Sequence, residues 1–445
     1  MSLGRLTLAT ACLSVVSAAL VASQDSPRPN SAPPGESAPT FTKDVAPILY
    51  RNCASCHRRG EIGPMSLITY QDVRPWAKSI REKVASRQMP PWFADPQYGT
   101  FRNDRRLSER EIDTIVKWVN AGARQGNAAD QPTLPEFSEG WQIGAPDVVI
   151  EMPTEYQISA EGTVDYQYFE VKTNFPDDKW IAAGEVRVDD REHVHHASVY
   201  IDDGENRPSP VEVRAIVPEG QTAPRPRQGS TAQGPRRLGA VFVNYAVGED
   251  APVYAKGQAK RLKAGATLIF QMHYTTNGHP GKDRSKLGLV FAKAPPPHEL
   301  RTGMIANAVF AIPPGDGNHP VEAEATFTDN VKVWTLHPHM HLRGKDMTYT
   351  AIFPDGRSEI LLRVPRFDFG WQSDFWLAAP IELPKGSKIH VTAHFDNSRS
   401  NPNNPDPSAT VRWGDQTWEE MMIGYFTYTA EGATISATVG GGPQR

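Results

Sequence analysis

Cysteine is nearly missing from this chain: 445 residues contain three, Cys12, Cys53 and Cys56. A disulfide-stapled scaffold is therefore excluded, and packing or bound metals must hold the fold together. Long apolar runs are also missing after the first two dozen residues, so no spanning helix is expected. Charge of one sign is not in excess. Lys and Arg number 47 against 51 Asp and Glu, for a formal net charge of -4, so nucleic acid is not an expected partner. No helical repeat or coiled-coil heptad recurs along the sequence.

The beginning of the chain reads as a secretory signal over residues 1–23. Arg5 supplies a positive start, residues 6–22 are largely apolar, and Val21-Ala22-Ser23 forms a small-residue cleavage site before Gln24. The apolar stretch is short for a membrane span. Cys12 sits deep inside it, which argues against a lipid anchor there. Residues 24–40 are rich in Pro and Ser and read as a flexible linker. The mature protein is expected to be exported, soluble and periplasmic.

Beyond the linker, helical patterning runs over residues 41–127. A helix opening at Thr42 or Lys43 carries Val45, Ile48 and Leu49. A second stretch over 70–88 places Val73, Trp76, Ile80 and Val84 near helical spacing. Ser108 and Glu111 form a capping box ahead of Ile112, Ile115, Val116 and Val119, and Gly122 suits the helix end. After a polar junction over 126–144, the apolar pattern changes to period two. Residues 164–171, 186–188, 268–274 and 388–395 alternate in this way, with turn residues between them, as in β-sandwiches. Some 300 residues of such sequence suggest two sandwiches. Residues 205–239, rich in Pro, Arg, Gln and Gly, read as a long exposed loop.

Cys53-Ala54-Ser55-Cys56-His57 is the most informative motif. A C-x-x-C-H run is an attachment site for c-type haem, with two thioethers to the porphyrin and the imidazole as proximal iron ligand. A zinc site would want a second cysteine pair, and none exists. A redox disulfide would want a thioredoxin-like βαβ context, which the pattern lacks. For the sixth ligand, Met89 in Gln-Met-Pro-Pro-Trp is favoured over Met65, because it follows a helix at the spacing of a distal-ligand loop stiffened by prolines. The order of helices, box and Met loop resembles a small class I cytochrome c over residues 41–127.

Seven of the thirteen histidines fall in three short clusters: His193, His195 and His196; His273; and His337, His339 and His341. A fourth segment, Glu419-Glu420-Met421-Met422, opens the last strong strand. Imidazole with thioether suits copper. His339 and His341, two apart on a strand, share a face. Consecutive His195 and His196 would point to opposite faces unless a bulge or strand end intervened, and His193 with His195 is the simpler pair. Trp371 and Trp376, in and just after residues 367–372 (Phe-Asp-Phe-Gly-Trp-Gln), read as core packing.

These clusters, in this order, resemble the copper type II, ascorbate-dependent monooxygenases, the peptidylglycine α-hydroxylating and dopamine β-monooxygenase family, over residues 145–430. The resemblance implies one copper on His195, His196 and His273, and a second on His339, His341 and Met421. It implies jelly-roll sandwiches facing a wet cleft. The first copper would pass an electron, and the second would bind O2 and hydroxylate a substrate C–H bond. Two departures stand out. The family's disulfides are missing. Residues used by peptide-amidating members to grip substrate are replaced by His337 and Ile423, although Tyr425 matches a substrate-facing tyrosine. A glycine-extended peptide is thus not the expected substrate.

The combined expectation is a multidomain chain: an all-α cytochrome c domain over 41–128, then all-β jelly-roll sandwiches over 129–295 and 296–445. It would carry one covalent haem c and two coppers. Its partners would be O2, a small-molecule or peptide-like substrate, and a periplasmic donor or ascorbate-like reductant. The alternative is a non-catalytic haem and copper protein for electron transfer.

Overall fold

The computed structural model describes residues 38–137, 140–204, 209–217, 240–249 and 251–431. The expected signal peptide, Cys12, the linker up to residue 37 and most of the 205–239 loop lie outside the described residues. No helix among the described residues is long and apolar enough to cross a membrane.

Strands carry most of the structure, and two pairs of sheets each enclose a core. In the first pair, a five-stranded sheet runs in the order Val148–Glu151, Lys286–Phe291, Lys179–Arg187, Gln258–Leu262 and His298–Glu299. Its four-stranded companion runs Gln167–Lys172, Thr267–Tyr274, Val194–Asp202 and Ala240–Ala246. Alternation sends Ile181, Leu287 and Leu289 from one sheet and Val199, Phe270 and Met272 from the other into a shared apolar cluster. In the second pair, Arg301–Ala306, Ile423–Ala430, Val331–His339 and Phe375–Leu383 form the four-stranded sheet. Its partner runs Ser358–Val364, Gly344–Ile352, Lys388–Phe395, His319–Phe327 and Val211–Ile216. Val333, Leu336 and Phe426 meet Tyr349, Val391 and Phe327 in this core.

The expected class, an all-α cytochrome domain followed by two jelly-roll sandwiches, is not the fold observed. Among the described residues 39% are strand and only 12% helix, and no all-α domain is evident. Helices between residues 41 and 120 are short, the longest being Glu109–Asn120. They do share a core of Phe41, Leu49, Val73, Ile80, Ile115 and Trp118. Residues 92–106, however, contain no helix. The preceding helix has already closed at Ala85, with Arg87 at a positive φ of 55°. The aromatic residues that follow exceed what so small a helical core can cover, and they are buried against strands. Trp92 and Phe101 pack edge-on to Phe375 at 4.8 and 5.4 Å, and Phe101 bridges to Leu377.

The strands are not divided in chain order either. Val211–Ile216, inside the segment read as a loop, pairs antiparallel with His319–Phe327 as the edge strand of the second pair's five-stranded sheet. Its alternating Val211, Val213 and Ala215 supply a short apolar period that the surrounding Pro and Gly conceal.

Candidate metal centre

Three imidazoles converge where two strands of the first pair meet. His196 on Val194–Asp202 lies opposite His273 on Thr267–Tyr274. The register shifts between Val194 and His196, so His195 occupies a bulge. An extra residue at that point turns a side chain that alternation would send away back toward its neighbour. Nitrogens of His195, His196 and His273 all lie within 4.8 Å of one another. His196 Nδ1 is 3.1 Å from His195 Nδ1 and 3.4 Å from His273 Nδ1. Burial lowers all three pKa values, reinforced by neighbouring imidazoles at His196 and at His273, whose value falls to about 3, and opposed at His195 by Asp368. Neutral imidazoles facing one point are what a transition metal requires. On the other side of the His196 ring, Nε2 is 3.3 Å from the Tyr166 hydroxyl, which orients the ring.

His193 does not join this group. Its Nδ1 contacts Asp190 Oδ2 at 2.8 Å and its Nε2 contacts the His279 carbonyl at 3.0 Å. Burial opposes its protonation, but Asp190 and that carbonyl hold its pKa above the usual value. With both nitrogens engaged, His193 ties the bulge entrance to the 275–281 turn.

The second cluster closes the Val331–His339 strand. His339 and His341 have ring centroids 5.3 Å apart at 88°. His339 Nδ1 meets Gln372 Oε1 at 2.6 Å, and His341 Nδ1 meets the Glu419 carbonyl at 3.2 Å. An acceptor at each Nδ1 selects Nε2 as the coordinating nitrogen. Burial lowers both pKa values, that of His341 to about 4. The buried Glu420 carboxylate accepts the backbone N–H groups of His341 at 2.8 Å and Arg343 at 2.6 Å. This bond anchors the half-buried Met421, next in the chain, to the histidine turn. Two imidazoles, with the Met421 thioether as the expected third donor, would suit a copper ion that cycles through Cu(I).

The two clusters share walls. His196, Gln271 and Asn244 from the first pair of sheets and His337, His339 and Tyr425 from the second line one cavity. Asn244 Oδ1 is buried there without a hydrogen-bond partner. His337 Nδ1 lies 3.0 Å from Asp374 Oδ1, an ion-pair contact rather than a hydrogen bond. Burial opposes protonation of His337, yet Asp374 and Glu249 raise its pKa. Trp376, read as core packing, lines the adjoining cavity with Lys260 and Asp374, and the Arg102 guanidinium covers it at 4.4 Å. Sequence reasoning missed Tyr166, Gln372, Glu420 and Phe369. Each is an isolated residue without a motif, and only the Glu-Glu-Met run hinted at Glu420.

The C-x-x-C-H box lies in one helical turn after the Ala46–Asn52 helix. Cys56 and His57 both donate their backbone N–H to the Cys53 carbonyl. Residues three and four apart therefore share a face, which brings Cys53, Cys56 and His57 to one side. His57 Nδ1 faces the Met65 carbonyl at 3.3 Å, which leaves Nε2 for an iron. Both thiols are free, and burial raises their pKa values, that of Cys53 to about 12. Thiols held protonated in this way suit a redox-active pair poorly, while thioether attachment tolerates them. The residues present fit a covalent haem. Of the two candidate axial methionines, Met65 packs with Cys53 against the helical core. Met89 is half-buried outside that cluster, and its backbone N–H goes to the Lys83 carbonyl.

No family model matches the chain, and no curated protein matches it. Among solved structures, allantoicase is 11% identical, with a TM-score of 0.16, over 54% of this chain and 79% of that one. A putative secreted protein from Eubacterium rectale is 10% identical, with a TM-score of 0.18, over 60% and 69%. A fucolectin from striped bass (Morone saxatilis) serum is 6% identical, with a TM-score of 0.16, over 62% and 85%. Similarity at this level carries no argument about function.

Proposed function

We propose that this chain is an exported, periplasmic copper-dependent monooxygenase of the type II, ascorbate-dependent kind, fed with electrons through a c-type haem on Cys53, Cys56 and His57. Bound copper would supply the O2 chemistry that inserts one oxygen atom into a substrate C–H bond and releases the other as water. The protein's own part is to hold His195, His196 and His273 around one ion and His339, His341 and Met421 around another. The observation that carries this reading is the convergence of three neutral imidazoles within 4.8 Å, beside a second histidine pair that shares a cavity with them.

Docking of the haem box supports the relay. Glu61, four residues past His57, bonds Arg191 at 2.5 Å, and Arg191 leads directly into the His193–His196 run. A side chain on Gly248 would lie 2.8 Å from Cys56 Sγ, so this glycine gives the box its close approach. Gly248 is two residues from Ala246, the strand partner of His196. An electron leaving the box therefore has a short covalent and hydrogen-bonded route to the three-histidine cluster.

The test is the copper-to-haem ratio of protein matured with haem-attachment machinery and reconstituted with copper. About two coppers per haem is expected from two three-ligand sites. A ratio near zero overturns the copper assignment and leaves a haem electron-transfer protein. Full copper loading without substrate-dependent O2 uptake across a panel of reductants favours the non-catalytic alternative.

A further inference from the structure

Residues 367–372 touch both histidine clusters. The Phe369 ring stacks on His195 at 5.9 Å and 17°, and lies 6.3 Å from His196 and 5.5 Å from His273. It also meets His341 edge-on at 6.1 Å and 85°. Gln372 Oε1 holds His339 Nδ1 at 2.6 Å. One loop thus contacts five imidazoles from two sheets.

The loop is braced so that its parts move together. Gly370 N–H donates to Asp368 Oδ1 at 2.9 Å, and Trp371 N–H donates to the Asp368 carbonyl at 2.9 Å. Gln372 Nε2 donates to the Phe369 carbonyl at 3.3 Å. The amide that orients His339 is therefore tethered to the residue whose ring rests on the three-histidine cluster.

We propose that residues 367–372 couple metal occupancy at the two clusters, with Phe369 as the contact that transmits it. The proposal rests on reading both clusters as copper sites. A cation at His195, His196 and His273 fixes the His195 ring on which Phe369 stacks, and a fixed Phe369 holds Gln372 where it presents His339 Nε2 to the second ion. Linkage makes the effect reciprocal: occupancy of either cluster raises the affinity of the other by the same factor. Phe369 and Gln372 are positioning residues here, since neither ligates.

The test uses full-length haem-loaded protein and Cu(I) under anaerobic conditions, with affinity read by competition against a chromogenic chelator. Affinity at the second cluster is compared with the first cluster intact and with it disabled by His273→Ala. The reverse comparison uses His339→Ala combined with His341→Ala. In the wild type, each comparison is expected to give a coupling factor of about tenfold. In Phe369→Ala the factor should fall close to one, with each cluster's separate affinity changing less than the coupling does. Phe369→Leu, which keeps bulk at the position, should retain part of it, and Gln372→Ala should lose it while leaving the three-histidine affinity intact. Near-UV circular dichroism verifies that each variant is folded. Undiminished coupling in Phe369→Ala and Gln372→Ala overturns the proposal, as does a factor of one in wild-type protein that loads both clusters. Wild-type protein that binds Cu(I) at neither cluster overturns the copper reading itself.

Discussion

At the scale of single residues, identical side chains divide by their second nitrogen. His193, His195 and His196 are within four positions of one another, yet only the last two face His273. His193 has both nitrogens committed, to Asp190 and to the His279 carbonyl. His193→Ala should therefore leave copper stoichiometry at the proposed sites unchanged and cost about 1 kcal/mol, because the half-buried Asp190 carboxylate and the His279 carbonyl lose their partner. Urea denaturation with parallel copper analysis checks this. Loss of a copper in that variant would mean that His193 ligates.

Elements decide which residues can meet. The β-bulge at His195 reconciles adjacent histidines with one metal, and it exists because the strand shifts register against Thr267–Tyr274. Capping boxes at Thr69 with Asp72 and at Ser108 with Glu111 start helices at positions marked by side-chain chemistry. Val211–Ile216 behaves differently, since it is a strand only because His319–Phe327 offers it an open edge. Val213, opposite Ala325, is the natural probe. Val213→Pro removes a donor and forbids the ladder geometry, so it should destabilise the second pair of sheets by about 1 kcal/mol. Thermal melting should report that loss while both coppers remain bound. An unchanged melting temperature would show that the edge contributes nothing.

At the scale of the whole molecule, helices, sheets and clusters form one contact unit from Pro39 onward. The C-x-x-C-H box docks through Glu61 and Arg191, which leads into the His193–His196 run, and Trp92 joins the second core. Under the proposed function this arrangement separates two routes for electrons. Replacing His57 or Met89 should slow turnover driven by a protein donor by about tenfold or more, an effect expected of a lost axial ligand, and should spare turnover with excess small reductant. Equal loss under both conditions would count against a relay through the haem.

Motif chemistry and local periodicity were legible in the sequence alone. The C-x-x-C-H spacing, the Ser108–Glu111 capping box and the alternating strands at 268–274 and 388–395 depend on neighbours within a few positions, so local physics determined them. The fold class was not legible, because the helical segment's aromatic residues and the Val211–Ile216 strand find their partners hundreds of positions or a whole sheet away. The same holds for the site. Sequence proposed which histidines to consider, but register, bulge and burial decided that His195 turns inward and His193 does not. Only tertiary packing placed Phe369 and Gln372 between the clusters. A lone Phe or Gln carries no local signal, and its role is set by what the fold brings against it.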